Sequence, residues 1–376
     1  MKKRLPFFES IAIIVGTIVG AGVLGLPFVF AQAGFLTGVF ALLVLGSILI
    51  VVRLMLGEVT LRTEKSHQLT GYTARYVGRW AKYIQSFVLI IGLFGTLLAY
   101  MVAQGDILSS LFGGTSMTWS LIFYLSFSFL VIQGLDVIKR SELILTVVIF
   151  FVVVVIAGFS APSVSFEALG SFDVYNFFVP YGVILFACSG MISVPEVRKI
   201  LRISKQERIM KKAIIWGGII PVALYLVFAT LVVGVTGSAT TEVATVGLGE
   251  VLGPRVLILG NIFGFFAIST SFLTLAIGLN SIFRFDYSIP RPLASALVVS
   301  VPLIAFALGM RDFITTLAIV GSMSVGVNGI FAVWSFWKAR KLGDREPEYS
   351  MPVNWSILAT IILVPIFIFG LIFVFV

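Results

Sequence analysis

Two stretches of this chain concentrate glycine and proline where a membrane-crossing helix is most weakened by them. The first runs Gly16-Thr17-Ile18-Val19-Gly20-Ala21-Gly22-Val23-Leu24-Gly25-Leu26-Pro27. The second runs Phe186-Ala187-Cys188-Ser189-Gly190-Met191-Ile192-Ser193-Val194-Pro195-Glu196. Gly22 precedes Pro27 by the same interval that separates Gly190 from Pro195, so two matched breaks are expected. Inside a bilayer every freed N–H and C=O must find a partner. An unwound helix offers amides at the N-terminus of its second half, a partial positive charge suited to a carboxylate. It also offers carbonyl oxygens suited to an ammonium group or a hard cation. A zwitterionic amino acid matches both poles.

The elements that hold these stretches must be membrane helices. Of the 376 residues, 59% are hydrophobic and only 11% charged, and the mean hydropathy is +1.11, which no core-and-surface arrangement in water could hide. At about 20 residues per crossing, that apolar content furnishes on the order of 11 spans and leaves little for a soluble domain. Apolar runs fall at about residues 8–31, 35–61, 83–112, 118–136, 141–160, 174–198, 212–236, 254–284, 291–309, 313–337 and 353–376. The chain thus reads as an all-α, polytopic, multi-pass membrane protein of about eleven helices. The start Met1-Lys2-Lys3-Arg4 resembles a signal peptide, but the apolar run continues to Phe30 without a cleavage site, so it reads as a retained first helix.

The net charge of +9 reports topology rather than nucleic-acid binding, because the cations cluster in alternate loops. With Lys2, Lys3 and Arg4 in the cytoplasm, so are residues 62–82, Lys139 with Arg140, residues 198–212, Arg284 with Arg291, and residues 338–345. The opposite loops carry Glu167, Asp173, Glu242 and Glu250 against only Arg255 and Arg311. The expected orientation is a cytoplasmic N-terminus and an outside C-terminus in the cell membrane. The loop from Glu64 to Lys82 reads as an amphipathic interfacial helix, with gating as the alternative. Cys188 is the single cysteine and His67 the single histidine, which excludes an internal disulfide and a cysteine or imidazole metal cluster.

Spans one to five (about 8–160) and six to ten (about 174–337) would be inverted repeats, since an odd number of helices per unit reverses the second unit. The transporter core would be residues 1–337, followed by a cytoplasmic loop at 338–352 and an eleventh helix at 353–376. Two blander readings compete. Gly16-x-x-x-Gly20 also suits close helix packing. Gly20-Ala21-Gly22-Val23-Leu24-Gly25 also spells a dinucleotide fingerprint, but no strand precedes it and no acidic residue has the required spacing.

At these residues the sequence resembles the aromatic (tyrosine and tryptophan) and neutral amino acid permeases of the amino acid and auxin permease branch, within the amino acid, polyamine and organocation superfamily. The resemblance covers nearly the whole chain. It rests on Gly20 through Pro27, Leu56-Gly57-Glu58-Val59, Pro180-Tyr181-Gly182-Val183 leading to Pro195-Glu196-Val197, and Thr270-Ser271-Phe272-Leu273. It implies a LeuT-type fold of five-plus-five helices, discontinuous in helices 1 and 6, working by alternating access. The substrate carboxylate would meet Gly20, Ala21 and Gly22, and its amino group the carbonyls around Thr17, Phe186, Ser189 and Gly190. Cys188 and Met191 would border the side-chain pocket, and Tyr100 would close it from outside. A sodium ion, the expected coupling ion, would bind Gly16, Val19, Ala267, Thr270 and Ser271. Alternatively, the hydroxyls of residues 269–271 serve only their own helix.

The remaining charges near the membrane are Arg53, Glu58, Asp106, Glu196 and Asp286, which mark function by default. Glu58 and Glu196 read as gate residues paired with cytoplasmic Arg or Lys, or as a proton relay. Asp106, beside Gln104, reads as access-path lining or as a solvated end. The expected function is import of a neutral, medium aliphatic or aromatic, amino acid with sodium. Proton coupling is the alternative, and a channel or structural subunit is more remote. No nucleophile, base and orienter come together, so an enzyme is not expected, nor any cofactor. The partners are a small amino acid and the lipid bilayer, with no nucleic acid; the sequence leaves the oligomeric state open.

Overall fold

The computed structural model describes residues 5–133, 151 and 153–373, and the regular structure of the described residues is helical throughout. The elements in order are α1 (Leu5–Ile18), α2 (Gly22–Ala33), α3 (Phe35–Leu61), α4 (Leu69–Tyr76), α5 (Arg79–Phe112) and α6 (Ser116–Gln133). They continue with α7 (Val153–Ser163), α8 (Tyr181–Ala187), α9 (Ser193–Ile203), α10 (Met210–Thr236), α11 (Ala244–Leu252) and α12 (Pro254–Ser281). The last are α13 (Arg291–Ala307), α14 (Phe313–Val320), α15 (Gly326–Leu342) and α16 (Val353–Phe373). A five-residue π-helical segment, Gly321–Val325, joins α14 to α15 without interruption.

Among the described residues seven helices are long and apolar enough to cross a membrane, α14 and α15 with their π-helical joint counting as one, and α1 with α2 forms an eighth, bent by 57° at its break. The expected span at 141–160 lies largely outside the described residues, as do the cations at positions 2–4, 139 and 140. The span expected at 174–198, with its break, is two short helices: a 3₁₀ turn precedes the seven residues of α8, and after a five-residue gap come the eleven of α9. α13, at 17 residues, is slightly short of a straight crossing.

Broken span one packs on α10 and α3, and α8 packs against α2 and α14. α5 and α12 lie side by side. Small residues permit these approaches. A Cβ on Gly182 would fall 2.7 Å from the Ala318 Cα, and one on Gly46 would fall 2.9 Å from a Val222 methyl. α16 packs on α15 and is tied to α8 through the Tyr181 hydroxyl, which donates to the Ile366 carbonyl.

The loop expected at 338–352 is partly helical, because α15 runs through Leu342. The strap that follows is pinned to the end of α3. The Asp344 amide donates to the Arg62 carbonyl at 2.8 Å, and the Tyr349 hydroxyl donates to the Leu54 carbonyl at 2.7 Å. The interfacial helix expected after span two is α4. Its apolar face does not lie on lipid: Leu69, Tyr72, Thr73 and Tyr76 are buried in the bundle. Tyr76 shares a 2.7 Å bond with Thr63, whose hydroxyl also donates to Val59.

Candidate substrate site at the two helix breaks

Span one unwinds over Val19 to Ala21 and span six over Cys188 to Ile192. Among the described residues the Gly20 and Ala21 amides donate to no main-chain carbonyl, which frees the Gly16 and Thr17 carbonyls from the helical ladder. None of the glycines at the breaks adopts a positive φ. They are required by proximity instead. A Cβ on Gly22 would fall 2.7 Å from the Ala187 Cα and 2.8 Å from its Cβ, so the two breaks touch backbone to backbone. The paired prolines differ in role. Pro195 stands third in α9, where a missing N–H costs no intrahelical bond, whereas Pro27 lies inside α2 and removes one.

Side chains from neighbouring helices hold the freed carbonyls from behind. The Tyr225 hydroxyl of α10 lies 2.9 Å from both the Ile18 and the Ala187 carbonyl oxygens, one in each broken span. Arg53 of α3 donates to the Cys188 carbonyl at 3.0 Å. Buried carbonyls need such partners, because leaving one unpaired costs about 1–3 kcal/mol.

In front of the breaks lies a cavity of about 670 Å³, within the range of small-molecule sites. It is lined by Gly16, Thr17, Val19, Gly20 and Gly22 from span one and by Phe186, Ser189, Gly190 and Met191 from span six. Tyr100 of α5 and Ala267, Thr270 and Ser271 of α12 complete its far wall. The residues expected to hold substrate and sodium therefore converge, with two exceptions. Ala21 and Cys188 do not line the cavity: both are buried, because the side chain of each points into the packed bundle rather than toward the opening. Tyr100 lines the cavity itself, its hydroxyl facing the Ser271 side chain and the Ala21 amide.

The Thr270 hydroxyl donates to the Phe266 carbonyl at 2.9 Å and to that of Ala267 at 3.2 Å. It thus serves its own helix while its oxygen lone pairs stay available. Further lining residues lie outside the two breaks and the Thr270 segment: Thr96, Thr274, Ser324 and Asn328, together with Gln68 and Thr70 of α4. Ser324 and Asn328 are polar residues in an apolar run, a legible signal. Nothing in the sequence places α4 at the cavity.

The cavity extends toward one end of the bundle. Above Gly22, Gly25 faces Phe313, Ile314 and Leu317, while Gly264 faces Ile107 and Leu24, so that side is packed shut. Toward the other side the lining reaches Gln68, Thr70, Ser86 and Ile192, and Thr17, deep in span one, is exposed. This open side is the end that carries the clustered arginines.

Glu58 is fully buried there, paired with Arg62 at 2.9 Å and Arg340 at 3.0 Å, and it accepts the Met351 amide at 2.7 Å. Among the described residues Glu196 pairs with neither Arg nor Lys. It accepts from the Gln68 side-chain amide at 2.8 Å, because the arginines of α9 turn elsewhere: Arg198 to Thr63, Tyr72 and Glu207, and Arg202 to Glu64. Gln104 donates to Phe265, and the Asp106 carboxylate faces Ser116. Neither lines the cavity. The Asp286 side chain lies outside the described residues.

The tryptophan/tyrosine permease family model matches residues 3–372. The chain belongs to this family. Its relatives include Glutamine transporter 2 of Aliivibrio fischeri, 22% identical over 86% of each chain, and Tyrosine-specific transport system 1 of Haemophilus influenzae, 23% identical over 94% of this chain and 93% of the relative. A third, the Tryptophan-specific transport protein of Shigella flexneri, is 25% identical over 78% of this chain and 77% of its own. Among solved structures, MhsT in complex with L-phenylalanine superposes with a TM-score of 0.69 at 18% identity, covering 99% and 98% of the two chains. A manganese transporter of Eremococcus coleocola gives 0.68 at 13%, covering 98% and 87%.

These neighbours show a LeuT-type fold. They do not choose a cargo, since one is bound to an amino acid and the other is named for a metal. Among the described residues no group of three or more His, Cys, Asp or Glu could hold a metal ion. This permease-family chain is a multi-pass membrane protein of a transporter family, and not an enzyme.

Proposed function

We propose that this permease imports a neutral, aromatic amino acid by alternating access, coupled to sodium. The observation that carries the reading is the convergence of both helix breaks on one cavity. The Gly20 amide stands free at the N-terminal end of α2, where a carboxylate is favoured, and the Gly16 and Thr17 carbonyls are released nearby for an ammonium. The names of the relatives, which specify tyrosine, tryptophan and glutamine transport, support a neutral amino acid. The two aromatic specificities, with a cavity bordered by Phe186, Met191 and Tyr100, favour an aromatic one. Proteoliposome uptake of labelled tyrosine, tryptophan, phenylalanine and glutamine tests this: saturable accumulation is expected, and no accumulation of any of them would overturn it.

The sodium reading is supported by oxygen ligands of the kind a hard cation takes. Gly16, Val19, Ala267, Thr270 and Ser271 all border the cavity, and among the described residues no lysine lines it. Uptake that survives replacement of sodium by choline, but follows an imposed pH gradient, would replace it with proton coupling.

The reading has eleven crossings: the bent pair, α3, α5, α6 and α7 form one repeat, the α8 and α9 pair, α10, α12, α13 and α14 with α15 form the inverted second, and α16 lies outside both. The arginine-rich end would face the cytoplasm, consistent with the positive-inside rule. That places the N-terminus inside and the C-terminus outside, with the cavity open inward. Glu58 and Glu196 then hold the inner side together as structural gate contacts.

A further inference from the structure

We infer that Arg53 is the positioning residue of the span-six break, holding Ser189 to Met191 in place at the wall of the cavity from the opposite side. In an unbroken helix the Cys188 carbonyl would accept the amide four residues on. The gap from Cys188 to Ile192 removes that partner, and the Arg53 Nη1 supplies a donor at 3.0 Å instead. Two glycines leave the guanidinium its room beside the packed isoleucines: a Cβ on Gly190 would stand 2.6 Å from Ile18 and 3.1 Å from Nη1, and one on Gly218 of α10 would meet Ile50 and stand 3.1 Å from Nη2. Gly190 is also a lining residue of the cavity, so the charged group and the candidate substrate space are one glycine apart.

The charge itself argues for a role beyond packing. Arg53 is 1% exposed, yet among the described residues no carboxylate lies within salt-bridge distance of it. Its Nε has no acceptor among the described residues either. A guanidinium stays protonated in proteins, and burying a cation without a counter-ion is costly, so a neutral side chain would serve a merely packed bundle better. What Arg53 gains here is a charge-assisted bond to a carbonyl at the C-terminal end of α8, where cations are favoured.

The chain's only cysteine reads this out directly. Cys188 is 1% exposed, so a membrane-permeant maleimide is expected to label the native protein slowly. In Arg53→Met, loss of one charged hydrogen bond is expected to accelerate labelling about tenfold and to raise the KM for the transported amino acid about tenfold with little change in kcat. Arg53→Lys, which keeps a charged donor, is expected to fall between the two. A purely structural residue would lower thermal stability while leaving the native labelling rate and KM unmoved. Labelling and KM within about twofold of wild type in both variants would overturn the inference. If Arg53→Met does not give monodisperse protein, Arg53→Lys carries the test with the same readings. Only the KM part rests on the amino acid transport reading. Labelling needs no substrate, so faster labelling in a protein that transports no amino acid would sink that reading and leave this one standing.

Discussion

The Tyr225 hydroxyl lies 2.9 Å from the Ala187 carbonyl oxygen, the last helical residue before the span-six break, and at the same distance from Ile18 at the end of α1. One proton serves two interrupted helices, so the breaks are coupled mechanically as well as by proximity. Tyr225→Phe keeps the ring and removes only this bond. The expected result is a stability loss of about 1–3 kcal/mol and a smaller thermal shift on adding substrate, both read by thermal unfolding with and without amino acid. Unchanged unfolding would show that the shared bond contributes little.

Glycines at the first break separate packing from binding. Gly22→Ala drives a methyl against the Ala187 main chain at 2.7 Å, where no side chain can swing aside. It should cost about 1–3 kcal/mol and abolish uptake. Gly20→Ala meets only the Tyr100 hydroxyl at 3.5 Å and the Ser271 hydroxyl at 3.8 Å, ordinary contact distances. Its stability should match wild type while substrate binding weakens, as measured by ligand-induced thermal shift.

Glu58 is held by two arginines and an amide at the arginine-rich end. Glu58→Gln leaves those cations short of a counter-ion, and removing one partner of a buried pair costs about 3–5 kcal/mol. The lower end is expected, because Arg62 and Arg340 remain 18% and 13% exposed. A proton relay predicts instead a stable protein whose uptake no longer follows pH; thermal unfolding of the variant separates the two.

Asp344 links the strap after α15 to α4 and the end of α3. The Glu64 amide, and then the Arg75 guanidinium, hold its carboxyl below the usual aspartate range. A depressed folded-state value contributes stability that is complete above the unfolded value and lost as pH falls through the folded one. Acid titration of thermal stability should therefore show a loss below the ordinary aspartate range that Asp344→Asn removes. The effect is small, because the pair is solvent-exposed. An identical acid limb in the variant would assign the loss to other groups.

Composition, the length of the apolar runs and the placement of glycine and proline determined that the chain crosses a membrane many times, where most long helices begin and end, and which two segments would come apart. Lipid leaves no alternative to helices for apolar runs of this length, and glycine and proline mark where a helix is weakest. The residues at those breaks and in the Thr270 segment were legible because main-chain chemistry depends on position along one helix. What only the tertiary structure decided concerns rotation and reach between helices. It turned Cys188 away from the cavity toward Arg53, paired Glu196 with Gln68, seated α4 in the bundle and brought Asn328 to the wall. A hydrophobic run specifies a helix. Which face meets which neighbour is settled by close packing among small residues far apart in sequence, such as Gly22 against Ala187, and no local pattern encodes that.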